Sequence, residues 1–158
     1  IDVNAFATPD GSVRVMAGLM DLMTDDEILS VIGHEIGHVK LGHSKKRYQS
    51  AYSISAAKDL AVANTNAGKV LADEEIGNFV ETVANAQFSQ THESDSDEYG
   101  FKFMVEKGHD YHAMAGAFQK LADLSGDGGK GSISSSHPGS AKRTERAKKW
   151  AEEEDAKK

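Results

Sequence analysis

The apolar positions of this chain follow two periods. Residues 3–7 are apolar and β-prone, and over 12–16 Val13 and Val15 alternate with polar neighbours. Pro9-Asp10-Gly11 between them is a turn, so the pattern predicts an antiparallel hairpin. An apolar stretch after Gly18 runs to Met23, and from there the period is helical. Thr24 and Glu27 form a capping box, and Ile28, Leu29, Ile32, Ile36 and Val39 recur at helical spacing. That predicts a helix burying this apolar face and ending near Gly42. Helix is further expected over 44–67, broken at 64–68. A second strong helix is expected over 73–90, with Ile76, Phe79, Val80, Val83 and Phe88 as its apolar face. Others follow over 93–105 (stopping at Lys107-Gly108), over 111–124 and, highly charged, over 139–156. Residues 125–136 are rich in Gly and Ser and read as a flexible loop. There is no repeat and no sign of a second domain. The expected class is mainly α (α+β): one domain over 1–158 with a small antiparallel sheet near the start.

Composition narrows the function. A chain of 158 residues buries roughly two-thirds of its unfolded surface, so a core needs no staple. Hydrophobic residues are 39% and charged ones 27%, with a net charge of -7. That charge argues against nucleic acid, which selects clustered Lys and Arg. The chain has no cysteine, so disulfides and thiolate metal sites are excluded and any transition metal must be held by His, Asp or Glu. No apolar run approaches the roughly 20 residues of a membrane-spanning helix. The chain starts at Ile1 rather than Met, so the N-terminal part of a longer protein, with any signal peptide or lipid anchor, is expected to be missing.

The chemistry concentrates in His34-Glu35-Ile36-Gly37-His38. Two histidines four apart on a helix share a face one turn apart, so both reach one ion. Glu35 adjoins that face, where it can take a proton from a metal-bound water. Gly37 in a helix interior costs about 1 kcal/mol relative to Ala, which predicts close packing there. A third protein ligand is needed. The longer pattern in which a third His follows on the same segment requires Gly at 41 and His at 44; the chain has Leu41 and Ser44. His43 is one position off and reads as a helix-end or surface histidine. Glu93 is the better candidate. Glu93 and Asp97 again lie four apart, so one helix can offer a carboxylate to the metal and another to a ligand histidine. Asp95 is the rival ligand, but it faces elsewhere on that helix. His137, followed by Pro138, stands where the Gly/Ser loop meets the last helix and can stabilise an oxyanion. Arg143, about two turns on, can orient a carboxylate or fasten this helix to the site.

The order of these motifs resembles the HtpX/CAAX-protease-like metallopeptidases, gluzincins that include the mitochondrial Oma-type proteases. The resemblance rests on Asn4-Ala5-Phe6-Ala7, Val15-x-x-Gly18-Leu19, His34-Glu35-x-x-His38, Glu93-x-x-x-Asp97 and His137-Pro138-x-x-x-x-Arg143, in that order along nearly the whole chain. Ser96 and Glu98 depart from the small apolar or basic residues commoner beside Asp97. The resemblance implies a gluzincin-type minimal metalloprotease domain with one Zn2+ per chain on His34, His38 and Glu93. It implies Glu35 as general base, Asp97 as partner of His34, and His137 as support for the transition state. Asn4, Ala5, Phe6 and Ala7 would form an edge strand that pairs with an extended substrate through its backbone. The implied reaction is hydrolysis of peptide bonds in unfolded or misfolded envelope proteins. The implied setting is the bacterial periplasm, with anchoring to the outer membrane as a lipoprotein in the full-length form.

Two other readings stand beside this one. A chaperone-like module with structural zinc would close the site with four protein ligands, whereas catalysis keeps one position open. A latent, self-inhibited protease would bring His137 onto the metal.

Overall fold

A computed structural model of the chain describes residues 2–8, 10–63, 88–126, 133, 137 and 140–158. The hairpin forms where its turn predicts. β1 (Ala5–Ala7) pairs antiparallel with β2 (Val13–Val15), in register Ala5↔Val15, Phe6↔Arg14 and Ala7↔Val13. Asp10 fixes the turn by accepting hydrogen bonds from the Thr8 hydroxyl and from the Ser12 N–H and hydroxyl, and these hold its carboxyl down to about 2. Asn4 O accepts from Met16 N, and Thr8 N donates to Ser12 O. Strand alternation then turns the backbone groups of Ala5 and Ala7 away from β2, toward the interior.

A short α1 (Ala17–Leu22) carries Leu19 into the core and leads to α2 (Asp25–Lys40). The predicted capping box is present: Glu27 N donates to Thr24 Oγ1 at 3.4 Å, and Thr24 N donates to Glu27 Oε2 at 2.8 Å. The expected buried face of α2 is corrected. Ile28, Leu29, Ile32, Ile36 and Val39 are only half-buried, while Glu27, Ser30, Val31, Gly33, His34, Glu35, Gly37 and His38 are fully buried. At about 100° per residue the buried arc centres on His34, and the apolar positions lie opposite it. The polar face is buried because other elements pack against it, so apolar periodicity located the helix but not the side facing the interior.

α3 (His43–Ala63) follows after Gly42, whose φ of 74° lets the chain reverse. The expected break at 64–68 and most of the expected helix over 73–90 lie outside the described residues. Its last residues are not a helix continuing through 90. Ser89 is extended and caps α4 (Gln90–Lys107), its hydroxyl accepting from His92 N at 3.1 Å. α4 therefore begins three residues before the expected 93. It ends as predicted, at Gly108 with φ 74°. Asp110 caps a turn by accepting from His112 N at 3.0 Å, so α5 (Ala113–Gly126) starts two residues after the expected 111. α6 (Ser140–Asp155) closes the chain.

The site is positioned by the seam between α2 and α4. A Cβ added to Gly33 would stand 3.2 Å from the Gly100 Cα, one on Gly37 3.1 Å from the Ser96 Cα, and one on Gly100 2.9 Å from the His34 backbone nitrogen. The helices thus meet backbone to backbone. This is the close packing that Gly37 predicts, and it brings the His34/His38 row of α2 against the Glu93/Asp97 row of α4. The apolar core lies beside this seam: Leu19, Val31, Phe101, Met104, Met114, Ala117, Phe118 and Leu121, with Ala147 and Ala151 of α6. Among the described residues, no helix is long and apolar enough to cross a membrane.

Candidate metal centre

His34, His38, Glu93 and His137 are buried, and one ligand atom from each lies within 4.8 Å of all the others. His34 Nε2 is 2.9 Å from His38 Nε2 and 3.1 Å from His137 Nδ1. Glu93 Oε1 is 3.2 Å from His38 Nε2 and 2.9 Å from His137 Nδ1. Three imidazole nitrogens and a carboxylate oxygen therefore converge on one point from α2, α4 and His137, three residues before α6. The set suits a divalent transition metal: it is nitrogen-rich, carries one negative charge and lacks sulfur.

The outer atoms are held so that the inner ones face the cluster. Asp97 Oδ1 accepts from His34 Nδ1 at 2.8 Å, which puts the His34 proton on Nδ1 and leaves the Nε2 lone pair pointing inward. Arg143 is fully enclosed and forks between two carboxylates: Nη2 lies 2.7 Å from Asp97 Oδ1, Nε 2.9 Å from Asp97 Oδ2, and Nη1 2.7 Å from Glu93 Oε2. Arg146 adds another contact to Asp97 Oδ2. Burial alone would raise the Asp97 carboxyl, but the Arg143 charge and the His34 hydrogen bond outweigh it and bring it to about 2. Glu93 behaves alike: burial raises it, and His137, His38 and His34 together hold it well below the usual carboxylate range. For Arg143, burial works against the charge, and Asp97 and Glu93 overcome it and raise the pKa. Burial is the main reason His38 falls to about 2, and it therefore stays neutral with a lone pair to offer.

Glu35 faces the same centre from the side of β1. Its Oε2 accepts from Ala7 N at 3.0 Å. Its Oε1 is buried without a hydrogen bond, 3.4 Å from His137 Nε2. Of the expected substrate strand, Ala5 and Ala7 are buried and Asn4 and Phe6 half-buried. The rim of β1 turned from β2 continues to Val3, whose carbonyl accepts from Ile133 N at 3.1 Å, and Ile133 O in turn accepts from His137 N at 3.0 Å. Asp95, the rival ligand, is exposed and takes no part in the cluster.

Three further residues stand at the site whose place there the sequence does not show. Phe88 stacks on the His38 ring at 3.8 Å between centroids and covers it. Phe118 lies edge-on to His34 at 6.4 Å and under the Arg143 guanidinium at 4.2 Å. His43 is no surface histidine: it is 4% exposed, with Nδ1 3.2 Å from His38 Nδ1. Burial, then the neighbouring His92, lowers its pKa. The signal for it was the reversal at Gly42, which folds the residue after a helix back beneath that helix's last turn.

The chain is 43% identical over 147 residues to "Metalloprotease LoiP" of Escherichia coli K12, covering 91% of this chain and 57% of that protein. It is 41% identical over 145 residues to "Metalloprotease YcaL" of the same organism, covering 91% and 56%. It is 30% identical over 134 residues to "Beta-barrel assembly-enhancing protease" of Yersinia pestis, covering 78% and 27%. The chain thus spans a little more than half the length of the first two relatives. No solved structure matches it at comparable significance. The model of peptidase family M48 matches residues 1–151, and the chain belongs to that family.

Proposed function

We propose that this chain is the peptidase domain of a zinc-dependent endopeptidase that hydrolyses unfolded or misfolded proteins of the bacterial envelope. The observation that carries the reading is the convergence of His34, His38 and Glu93 beside Glu35 Oε1, which takes no hydrogen bond. His34, His38 and Glu93 would hold the ion, and His137 lies within the same donor set. Zn2+, when bound there, would supply the Lewis acidity that lets water act as a nucleophile near neutral pH. Glu35 Oε1 accepts the proton of the attacking water and returns it to the leaving amine, while Ala7 N–H holds the other carboxylate oxygen in place. Asp97 and Arg143 keep His34 and Glu93 in the orientations the ion requires. An extended substrate would pair with those backbone groups on the rim of β1 turned from β2 that Glu35 and Ile133 do not already occupy. Backbone pairing of this kind reads chain shape more than side chains, which suits unfolded substrates. A relative named for β-barrel assembly supports the envelope setting. The test is Glu35→Gln: zinc content is expected to stay at one per chain while casein cleavage falls at least 100-fold. Full cleavage by that variant would sink the mechanism.

A second reading is favoured by His137. Its Nδ1 joins the donor cluster, and the same segment bonds to the β1 rim through Ile133. Four protein donors are what a latent protease or a structural site would present. His137→Ala separates these. If the resting state is latent, casein cleavage rises. If His137 supports the oxyanion, cleavage falls with zinc retained. If the metal is purely structural, neither wild type nor variant cleaves.

A further inference from the structure

We infer that His43 is a positioning residue for the metal centre: its Nδ1 accepts the proton carried by His38 Nδ1 and so turns the His38 Nε2 lone pair toward His34 and Glu93. The inference rests on the reading of His38 as a ligand. A neutral imidazole has one N–H and one lone pair. The His38 nitrogen that faces the cluster is Nε2, 2.9 Å from His34 Nε2 and 3.2 Å from Glu93 Oε1. If that atom is to donate a lone pair, the His38 proton belongs on Nδ1, which faces His43 Nδ1 at 3.2 Å. Two N–H groups at that distance repel, so His43 presents its lone pair and keeps its own proton on Nε2.

The His43 ring is held for this task. Ser96 Oγ on α4 lies 3.1 Å from the same Nδ1, and the His92 ring stacks on His43 at 4.1 Å between centroids and 19° between planes. The residue is buried, and Gly42 at φ 74° is the turn that returns it beneath His38. The two histidines of one motif are therefore fixed by different chemistry. A carboxylate holds His34, whereas a neutral imidazole holds His38 and adds no charge to the site.

The experiment compares His43→Phe, His43→Asn and His38→Ala in the full chain. Zn2+ affinity is measured by competition with a chromophoric chelator, the melting temperature on metal-free protein, and the His43 tautomer from imidazole 15N shifts of the Zn2+-loaded protein. Phe keeps the stack on His92 but has no acceptor, so Zn2+ affinity is expected to fall about 10- to 100-fold with the metal-free melting temperature little changed. Asn places its amide oxygen near the Nδ1 position and should recover most of that loss. Wild-type His43 should carry its proton on Nε2, leaving Nδ1 as acceptor, in the Zn2+-loaded protein. Wild-type affinity in His43→Phe, or an Nδ1-protonated His43, overturns the inference. So does an Asn variant as weak as Phe. Should His43→Phe unfold, the tautomer and the Asn variant still decide. His38→Ala should lose Zn2+ binding. If it binds like wild type, the ligand reading itself fails; if it loses binding while His43→Phe does not, only the role of His43 falls.

Discussion

The α2/α4 seam and the α5/α6 contact hold neighbouring parts of one small fold in opposite ways. Between α5 and α6 the buried positions are ordinary: Met114, Ala117, Phe118 and Leu121 pack with Ala147 and Ala151. Along the seam the helices touch through Gly33, Gly37, Gly100 and Ser96, and the buried side chains are His34, His38, Glu93 and Asp97. Apolar contacts tolerate substitution as long as volume is kept. The seam has no such latitude, because each polar atom is placed by a specific partner and an unpaired buried charge is costly. Phe118 and Arg143 join the two regions, the ring lying beneath the guanidinium and edge-on to His34. Burial of the apolar half is favourable and offsets the cost of keeping polar groups buried in the seam.

Arg143→Met is the largest expected break in that contrast. It would keep the contact over Phe118 but remove the fork between Asp97 and Glu93, leaving two buried carboxylates short of a counter-charge. Stability measured by urea unfolding of the metal-free protein should fall by about 3–5 kcal/mol, less whatever Arg146 recovers at Asp97. Arg143→Lys should recover only part, since an ammonium cannot reach both carboxylates in a planar fork. A loss under about 1 kcal/mol in Arg143→Met would mean that the network contributes far less than its burial implies.

Gly100→Ala comes next. The new Cβ would sit 2.9 Å from the His34 backbone nitrogen, closer than real Cβ atoms approach, and that neighbour is backbone rather than a flexible side chain. Overpacking of this kind costs about 1–3 kcal/mol. Because the helices must separate, Zn2+ affinity should fall with stability. Ala147→Gly in the apolar contact should cost about 1 kcal/mol with Zn2+ affinity unchanged. Parallel chelator titrations of the two variants sharpen the comparison; equal effects on affinity would remove it.

What the sequence makes legible follows the same division. The hairpin turn, the capping box and Gly108 are local devices, and each acts where its residues stand. His34 and His38, and Glu93 and Asp97, share faces because four residues are nearly one helical turn. The orientation of α2 is not local. Its five apolar positions suggested one buried side, but the glycine contacts with α4 put the polar side inward. Ser89 and Asp110 moved two helix starts, since a capping side chain outranks the propensity of the residues beside it. The burial of His43 depends on a reversal at Gly42 and on rings brought in by α4, so no spacing along one element reveals it.

The smallest expected effect lies where α2 meets α5, at Glu27. Its Oε2 accepts from Thr24 N at 2.8 Å and from Lys120 Nζ at 2.7 Å. Gly116 makes room for it, since a Cβ there would stand 2.7 Å from Glu27 Oε1. Burial alone would raise the Glu27 carboxyl, but the hydrogen bond from Lys120, that from the Thr24 backbone and the Lys120 charge outweigh it and lower the pKa. An acid held below its unfolded value contributes stability that is complete above about pH 4.3 and is lost as pH falls through the lowered value. Glu27→Gln keeps the cap acceptor but not the charge. The Lys120 side chain keeps 36% of its surface in water, which screens the pair, so the variant should be less stable at pH 7 by only about 1 kcal/mol. On acidification from pH 5 toward pH 3 the two proteins should converge, because wild type loses its advantage as Glu27 protonates. A constant gap across that range in urea titrations would show that Glu27 acts through its shape at the Gly116 notch and not through its charge.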